Sequence, residues 1–426
     1  MIYLDRWIKD KIGGEIKEYQ LNSLKKTLSH ASRKSVYYRN LADYDIKDLN
    51  DLSKLPFTYP DDLKKEPYKL LCVPLGDVKR IFTLYTSGTT GTPKKVLFTQ
   101  EDIGRITDYM GVISKTVAEC AGLSEGYTVV QLIPDGKPES QAKLSSQGAT
   151  KVKAVPITVN PSLDSESIVK AIEEHKPDIL FGTPSKIYRI SQECKERHNL
   201  DRIGVKVLFL SSEYASEAME RKLRDIWGCE VYRYFGMTEM GFIGGADCQA
   251  HKGFHLNEMD FLIEVVNTET GEVMKAGMGE LVFTTLRREA MPLIRYKTGD
   301  LVELLPERCS CGTSLKTIGR TIKRADGIEK LGNKEVSLID FDEALYTVPQ
   351  LTDYQVAFSR DGEKDIVIVK AELTTKEWVA DKISEAIMSI PVIKENLKAG
   401  LLSEPEVELV DLIKREGRAK KYIEHC

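Results

Sequence analysis

Residues 85–95 form a segment rich in threonine, serine, glycine and lysine that lies between two apolar segments. The flanking residues, 81–85 and 96–98, have the aromatic and aliphatic composition of strands. Glycine permits tight turns in which successive backbone N–H groups form an anion-binding concavity. Hydroxyl groups add neutral donors, and lysine adds a positive charge suited to phosphate. The segment therefore predicts a polyphosphate-binding loop that connects two strands.

The spacing of this loop is not that of a Walker A motif, in which the lysine opens a helix. Here a helix is expected only after the second strand, where Thr99 and Asp102 form a capping-box pattern. Over residues 103–230, short apolar segments alternate with helical patterns, which indicates parallel βαβ units. The sequence therefore predicts an α/β fold.

Length and composition limit the functional classes. A chain of 426 residues is long enough for two or three domains. The formal net charge of −4 gives no electrostatic reason to expect nucleic acid as a partner. We expect no association with a membrane, because no apolar run approaches the length of a transmembrane helix. Eight cysteines do not make a disulfide scaffold in a chain this long, and the start lacks signal-peptide features, so we expect a cytoplasmic location.

Three later motifs complete a pattern with the loop at 85–95. They are Tyr-Phe-Gly-Met-Thr-Glu at 234–239, Tyr-Lys-Thr-Gly-Asp at 296–300 and Ile-Gly-Arg at 318–320. Together the four motifs resemble those of the adenylate-forming (ANL) enzymes, and the segments 35–39 and 55–58 resemble the phenylacetate-CoA ligase branch. The resemblance implies a large N-terminal AMP-binding domain, residues 1–319, with mixed or parallel sheets flanked by helices. It also implies a small, mobile C-terminal α+β lid domain, residues 320–426.

The resemblance also implies a nucleotide site for ATP and AMP. Phe235 would stack on the purine, Thr238 would bond the α-phosphate and Glu239 would hold Mg²⁺, which prefers oxygen ligands. Asp300 would accept the ribose hydroxyls, and Arg320 would contact ribose or phosphate oxygens. The full set of expected nucleotide contacts is Thr86, Ser87, Gly88, Thr89, Thr90, Gly91, Lys94, Ser212, Glu213, Tyr234, Phe235, Gly236, Met237, Asp300 and Arg320.

The resemblance further implies a cation near the C-terminus that contacts the acyl carboxylate and the α-phosphate. The family has a lysine after a glycine at this position, whereas this chain has Arg418 after Gly417 and a lysine at Lys420. Arginine keeps the charge but differs from lysine in shape and hydrogen-bond geometry. The sequence leaves open which of Arg418 and Lys420 acts as the catalytic cation beside Thr238 and Glu239.

Cysteines and histidines in two separate segments suggest a structural zinc site. Cys248 and His251 come from one segment, and Cys309 and Cys311 come from another. Zinc in structural sites takes four such ligands in tetrahedral geometry. We expect these four residues to bind zinc, with His255 as the spare ligand that would otherwise face the acyl pocket.

The implied reaction is the ATP-dependent activation of a carboxylic acid to an acyl-adenylate, followed by transfer to coenzyme A. The expected partners are therefore a small carboxylic acid and coenzyme A, and assembly as a homodimer is left open. One alternative is transfer to a carrier protein, an amine or a cofactor; another is a nucleotide-binding regulator with weakened catalysis. The stretch 134–140 is polar where the family has aromatic residues, which argues against an aryl acetate as the substrate.

Overall fold

The computed structural model describes residues 2–84, 93–136, 140–374, 379–413 and 421–425. The helices are α1 Tyr3–Ile12, α2 Ile16–Lys34, α3 Pro60–Lys65, α4 Gln100–Cys120, α5 Gln141–Lys151, α6 Ser165–His175, α7 Pro184–Cys194, α8 Glu217–Trp227, α9 Leu338–Leu345, α10 Ala380–Ser389 and α11 Pro391–Lys398. The strands are β1 Val78–Leu84, β2 Lys94–Thr99, β3 Thr128–Leu132, β4 Val155–Thr158, β5 Ile179–Gly182, β6 Val207–Leu210, β7 Glu230–Phe235, β8 Gly245–Ala246, β9 Gly253–Leu256, β10 Phe261–Val266, β11 Gly277–Thr285, β12 Tyr296–Leu304, β13 Thr317–Gly319, β14 Lys323–Arg324, β15 Ile328–Leu331, β16 Lys334–Ser337, β17 Leu351–Asp361, β18 Lys364–Leu373, β19 Glu406–Val410 and β20 Ile423–His425. None of the helices in the described ranges is long and apolar enough to cross a bilayer.

Two compact units make up the chain. The first contains Met1–Thr158 and Tyr232–Ile322, and the second contains Val159–Val231 and Lys323–Cys426. The predicted α/β class is confirmed, because both units combine sheets with packed helices.

The first unit is built on an antiparallel run of strands in the order β10–β11–β12–β13–β9–β8–β7. Strands β3 and β4 pair in parallel, and β1 and β2, the two strands expected on either side of the loop, pair antiparallel. Helix α4 follows β2 directly, and its start is fixed by reciprocal bonds: the Thr99 hydroxyl accepts from Asp102 N, and the Asp102 carboxylate accepts from Thr99 N. The predicted capping box is confirmed.

The second unit joins residues that are far apart in the sequence. Strands β5 and β6 pair in parallel, and β19–β18–β17–β20 form a separate sheet. In this unit, Arg189 of α7 donates to Glu372 of β18, and the rings of Tyr188 and Tyr346 meet at 5.0 Å. These contacts place residues 159–231 in one unit with residues 323–426. The sequence-based division at 319/320 instead treats each domain as one continuous segment.

Candidate active site and metal centre

Glu239 lies at the centre of a buried polar network in the first unit. It belongs to a short 3₁₀ turn, Thr238–Met240, that begins three residues after the end of β7 at Phe235. Its Oε1 accepts hydrogen bonds from Lys94 Nζ, at the start of β2, and from the Tyr296 hydroxyl, at the start of β12, at 3.0 Å. Three separate elements therefore meet at one carboxylate.

The surroundings of Glu239 keep its carboxylate charged. Burial alone would raise the pKa of Glu239, but the attraction of Lys94 and the hydrogen bonds from Lys94 and Tyr296 lower the pKa below its ordinary value. Arg288 Nη1 donates to the backbone carbonyl of Glu239 at 2.6 Å and fixes the turn. Burial lowers the pKa of Arg288 to about 10, so this side chain stays cationic at neutral pH. A charged carboxylate of this kind is a suitable ligand for Mg²⁺.

Asp300 lies on a bulge within β12 rather than in a turn between strands. Glu280 pairs with Leu301 and Val282 pairs with Lys297, so residues 298–300 of β12 lie opposite residue 281 alone. Gly299 has φ +75°, a conformation that favours glycine, and the Thr298 hydroxyl accepts from Asp300 N at 3.0 Å. A bulge changes the direction of the side chains on its strand, and the glycine of this motif supplies the positive φ found within it.

The aromatic residues of the 234–239 motif are more deeply buried than the sequence suggests. Phe235 is 7% exposed, and its ring lies 6.2 Å from that of Phe254. Stacking of Phe235 on a purine stays a prediction. At Gly236, a Cβ atom would lie 1.8 Å from the Phe242 carbonyl oxygen, so the fold itself requires glycine there. Met237 and Thr238 beside it are partly exposed.

Ser212 and Glu213 lie in the second unit. Ser212 has φ +72°, which is the left-handed conformation that glycine adopts most easily. A serine therefore holds here a backbone conformation that is usual for glycine. The Glu213 carboxylate accepts from Ser185 N at 3.2 Å, in the first turn of α7.

Arg320 follows β13 and forms an ion pair with Asp247. Arg320 Nη2 lies 3.1 Å from Asp247 Oδ2, and the Asp247 carboxylate is fully buried. The same oxygen lies 3.4 Å from His251 Nδ1. Asp247 therefore connects the arginine expected at the nucleotide to the segment that carries the metal-binding pattern.

Cys248, His255, Cys309 and Cys311 form a buried cluster in which the four ligand atoms lie within 4.8 Å of one another. The Cys248 and Cys309 sulfurs are 3.6 Å apart, too far for a disulfide bond, for which about 2.05 Å is required. A tetrahedron with zinc–sulfur bonds of about 2.3 Å has sulfur–sulfur edges of about 3.8 Å. The spacing and the donor set therefore fit a tetrahedral zinc site.

The hydrogen bonds of His255 also favour zinc binding. The Thr317 hydroxyl donates to the Leu315 carbonyl, so it accepts from His255 Nδ1 at 2.9 Å. His255 Nε2 then presents its lone pair toward Cys248 Sγ at 3.2 Å and Cys311 Sγ at 3.5 Å. Burial lowers the pKa of His255 to about 4, which keeps the ring neutral, as a metal ligand must be.

This geometry corrects the expected ligand set, because His255 and not His251 completes the cluster. His251 turns toward Asp247 and packs against the Tyr232 ring, with centroids 4.9 Å apart. The left-handed backbone of His251, with φ +49°, belongs to a turn that leads its side chain away from the thiols. His255 lies on β9 opposite Thr317 of β13, which brings it to the segment that precedes Thr317.

Comparison with known proteins agrees with the fold and with the motifs. Residues 48–285, more than half of the chain, match the family described as AMP-binding enzyme. The chain belongs to this family. A phenylacetate-coenzyme A ligase of Aromatoleum evansii is 30% identical over 373 residues, covering 84% of this chain and 82% of that protein. A second, from Thermus thermophilus, is 27% identical over 426 residues, covering 96% and 94%. These similarities place the chain in the phenylacetate-CoA ligase-like branch of the ANL superfamily.

A solved structure shares the fold of this AMP-binding enzyme. 2-Hydroxyisobutyryl-CoA ligase in the postadenylation state, in complex with 2-HIB-AMP, has a TM-score of 0.80 at 20% identity. The similarity covers 96% of this chain and 89% of that one.

Some expected site residues of this AMP-binding enzyme lie outside the described residues. They are the loop residues Thr86, Ser87, Gly88, Thr89, Thr90 and Gly91, and the cations Arg418 and Lys420. Lys421 is described: its Nζ donates to Asp342 Oδ1 at 2.8 Å and to the Tyr346 hydroxyl at 2.6 Å. Lys421 therefore anchors the end of this basic segment to the second unit.

Proposed function

We propose that this AMP-binding enzyme is an acid–thiol ligase that forms AMP. A carboxylate oxygen of the acid attacks the α-phosphorus of ATP, and the bond to the bridging oxygen breaks as pyrophosphate leaves. The thiolate of coenzyme A then attacks the acyl carbonyl, and AMP leaves with the electron pair of the acyl–oxygen bond. The observation that carries the proposal is the charged Glu239 carboxylate, which accepts hydrogen bonds from Lys94 of β2 and Tyr296 of β12.

Each part of the nucleotide has proposed contacts in the first unit. Glu239 would hold Mg²⁺, which supplies neutralisation of phosphate charge when it is bound. Lys94 and the loop at 86–91 would bind the phosphates, and the bulge would direct Asp300 toward the ribose. Arg320 would contact ribose or phosphate oxygens. These groups act by positioning and by stabilising charge.

We also propose a structural zinc ion at Cys248, His255, Cys309 and Cys311. The four ligand atoms are buried and closely spaced, and the tautomer of His255 directs a lone pair into the cluster. Zinc has no redox chemistry, and this site has four protein ligands with none left open, so it would stabilise the fold rather than take part in the reaction.

An ATP–pyrophosphate exchange assay over a panel of carboxylic acids tests the first half-reaction. The panel should include phenylacetate, short aliphatic acids and short hydroxy acids. We expect exchange with at least one acid and a loss of at least a hundredfold in the Glu239→Gln variant. Absence of exchange with every acid would contradict the ligase assignment and favour the nucleotide-binding regulator.

Release of AMP in the presence of coenzyme A tests the acceptor. We expect AMP release with the active acid to depend on coenzyme A. If exchange occurs but coenzyme A does not accelerate AMP release, the acceptor is a carrier protein, an amine or a cofactor instead.

A further inference from the structure

The ion pair between Asp247 and Arg320 lies outside the contacts that the sequence motifs explain. We propose that Asp247 is a positioning residue that holds Arg320 in the orientation required for nucleotide binding. This inference rests on the proposed function, in which Arg320 contacts ATP. Asp247 would touch no substrate and would act through the guanidinium alone.

Asp247 is a rigid anchor because its backbone and its neighbour are both fixed. Its N–H donates to the Arg233 carbonyl of β7 at 3.0 Å, and the side chain is fully buried. The next residue is Cys248, whose sulfur belongs to the Cys/His cluster. A metal ion at the cluster would therefore further restrict the backbone on which this carboxylate stands.

The backbone of Arg320 is fixed through the same cluster. Arg320 follows β13, which pairs with β9 through Thr317 with His255 and Gly319 with Gly253. The hydrogen bond between His255 Nδ1 and Thr317 Oγ1 links β13 to the cluster as well. Both ends of the ion pair are thus attached to one small buried structure, and the guanidinium is held at both its backbone and its tip.

A guanidinium held in this way loses less conformational entropy when it binds a ligand, which is a general source of affinity. The arrangement lowers the stability of the fold at Asp247, because its Oδ1 is buried and receives no hydrogen bond from the described residues. An unsatisfied buried oxygen disfavours folding. Its presence here is consistent with a carboxylate that serves ligand binding.

The test is a double-mutant cycle on ATP affinity, measured by calorimetry with the full-length protein. We expect Asp247→Asn to raise the dissociation constant of ATP about tenfold, the size of one charge-assisted hydrogen bond. Arg320→Ala should raise it at least as much. Adding Asp247→Asn to Arg320→Ala should then cause no further loss, because Asp247 acts only through Arg320.

His251→Gln is the matched control, because it alters the other partner of Asp247 and leaves the ion pair intact. We expect ATP affinity to be unchanged in this variant. Thermal unfolding and zinc content of each variant distinguish a loss of folded structure from a change in the orientation of the Arg320 guanidinium. If Asp247→Asn does not fold, Asp247→Glu replaces it in the cycle, since it keeps the charge but displaces it.

The inference is overturned if Asp247→Asn binds ATP as tightly as the wild type, or loses as much affinity in the Arg320→Ala background as alone. It is distinguishable from the proposed ligase function because ATP binding requires no acid. A wild-type protein that shows the coupling in calorimetry but no pyrophosphate exchange would retain the inference and refute the ligase reaction.

Discussion

At the scale of single residues, the proposed active site is built around the buried carboxylate of Glu239, which two neighbours keep ionised. Lys94 supplies charge and Tyr296 supplies a neutral hydrogen bond. Removal of the neutral donor is the milder perturbation, because the aromatic ring would still pack against Phe283, with ring centroids 5.4 Å apart. This difference makes Tyr296 the better position for a functional test.

We expect Tyr296→Phe to raise the KM for Mg-ATP about tenfold and to lower the unfolding free energy by about 1.5 kcal/mol, because a buried hydrogen bond to a charged group is lost. Steady-state exchange kinetics over a range of Mg-ATP concentrations measure the effect. Tyr127→Phe is the control, since the Tyr127 hydroxyl meets only Ser114, at 3.0 Å, among the described residues. An unchanged KM in Tyr296→Phe would contradict a positioning function for this hydroxyl.

The lowered pKa of Glu239 predicts how stability changes with pH. A group whose pKa is lower in the folded state stabilises the fold above its unfolded pKa, near 4.5, and loses that contribution as the pH falls through the folded pKa. Wild type should therefore exceed Glu239→Gln in unfolding free energy by about 3 kcal/mol at pH 6, because Lys94 loses its buried partner. Urea unfolding at pH 6 and pH 3 should show the difference shrinking; a constant difference would contradict it.

The sequence marked Glu239 and Tyr296 by separate motifs but did not show that the two side chains meet. Tyr296 and Arg288 lie 57 and 49 residues from Glu239 along the chain. Their contacts exist only because β12 and the segment before it return to the end of β7. Asp247 was missed for the same reason, since only its ion pair with Arg320 distinguishes it from an ordinary aspartate.

At the scale of elements, the closely packed pair β9 and β13 supports both the proposed zinc site and Arg320. At Gly253, a Cβ atom would lie 2.4 Å from the Ile318 carbonyl oxygen. The two strands can approach one another only because residue 253 is glycine. Any larger side chain there would push the strands apart.

We expect Gly253→Ala to lower the unfolding free energy by about 2 kcal/mol or more, since overpacking against backbone cannot relax easily. Gly76→Ala is the matched control, because a Cβ there would meet no atom within 4 Å. Urea unfolding of the two variants measures the contrast. Equal stabilities would show that β9 and β13 can separate without cost.

The proposed zinc site gives a prediction that distinguishes the two candidate histidines. We expect about one zinc ion per chain in wild type and in His251→Ala, but a marked loss in His255→Ala. His255→Cys should retain zinc, because four thiolates also form a stable site. Elemental analysis of the purified proteins decides; zinc loss in His251→Ala with retention in His255→Ala would restore the ligand set expected from the sequence.

Elements with a strong pattern were predicted well, and those without one were not. Helix α6, Ser165–His175, lies within the region 103–230 where helical patterns were expected, and its apolar residues follow the helical period. Strand β8 has only two residues, Gly245 and Ala246, which is too short to show any alternation. The bulge at 298–300 could not be predicted either, because the sequence Thr-Gly-Asp is equally typical of a turn between strands.

At the scale of the whole molecule, the two half-reactions are expected to use different contacts of the C-terminal residues. A lid that moves between the adenylation and thioester-forming steps would present its basic segment to only one of them. Arg418 and Lys420 are the candidates, and Lys421 serves as an anchor within the second unit.

We expect Arg418→Ala to slow adenylation at least a hundredfold while thioester formation from a supplied acyl-adenylate is nearly unchanged. Lys420→Ala should affect both steps only slightly. Single-turnover assays of each step provide the measurement, and Arg418→Lys tests whether charge is sufficient. If Lys420→Ala shows the larger effect on adenylation, Lys420 is the catalytic cation.

The grouping of residues 159–231 with the C-terminal part could not be predicted from local patterns. It depends on contacts such as the Lys222 Nζ bond to the Val348 carbonyl, at 2.6 Å across 126 residues. The alternation of strands and helices identifies neither partner in advance. Only the folded arrangement shows that these segments form one unit.

The distance along the chain between the cysteines has a further consequence for the unfolded chain. Cys248 and Cys309 are 61 residues apart in sequence, so an ion bound by both would act as a reversible cross-link. By the loop-entropy relation used for disulfides, closing a loop of this length restricts the denatured ensemble by about 4 kcal/mol. Unlike a disulfide, this restriction requires no oxidising environment. The lifetime of the protein against proteolysis would therefore depend on the supply of the ion as well as on the sequence.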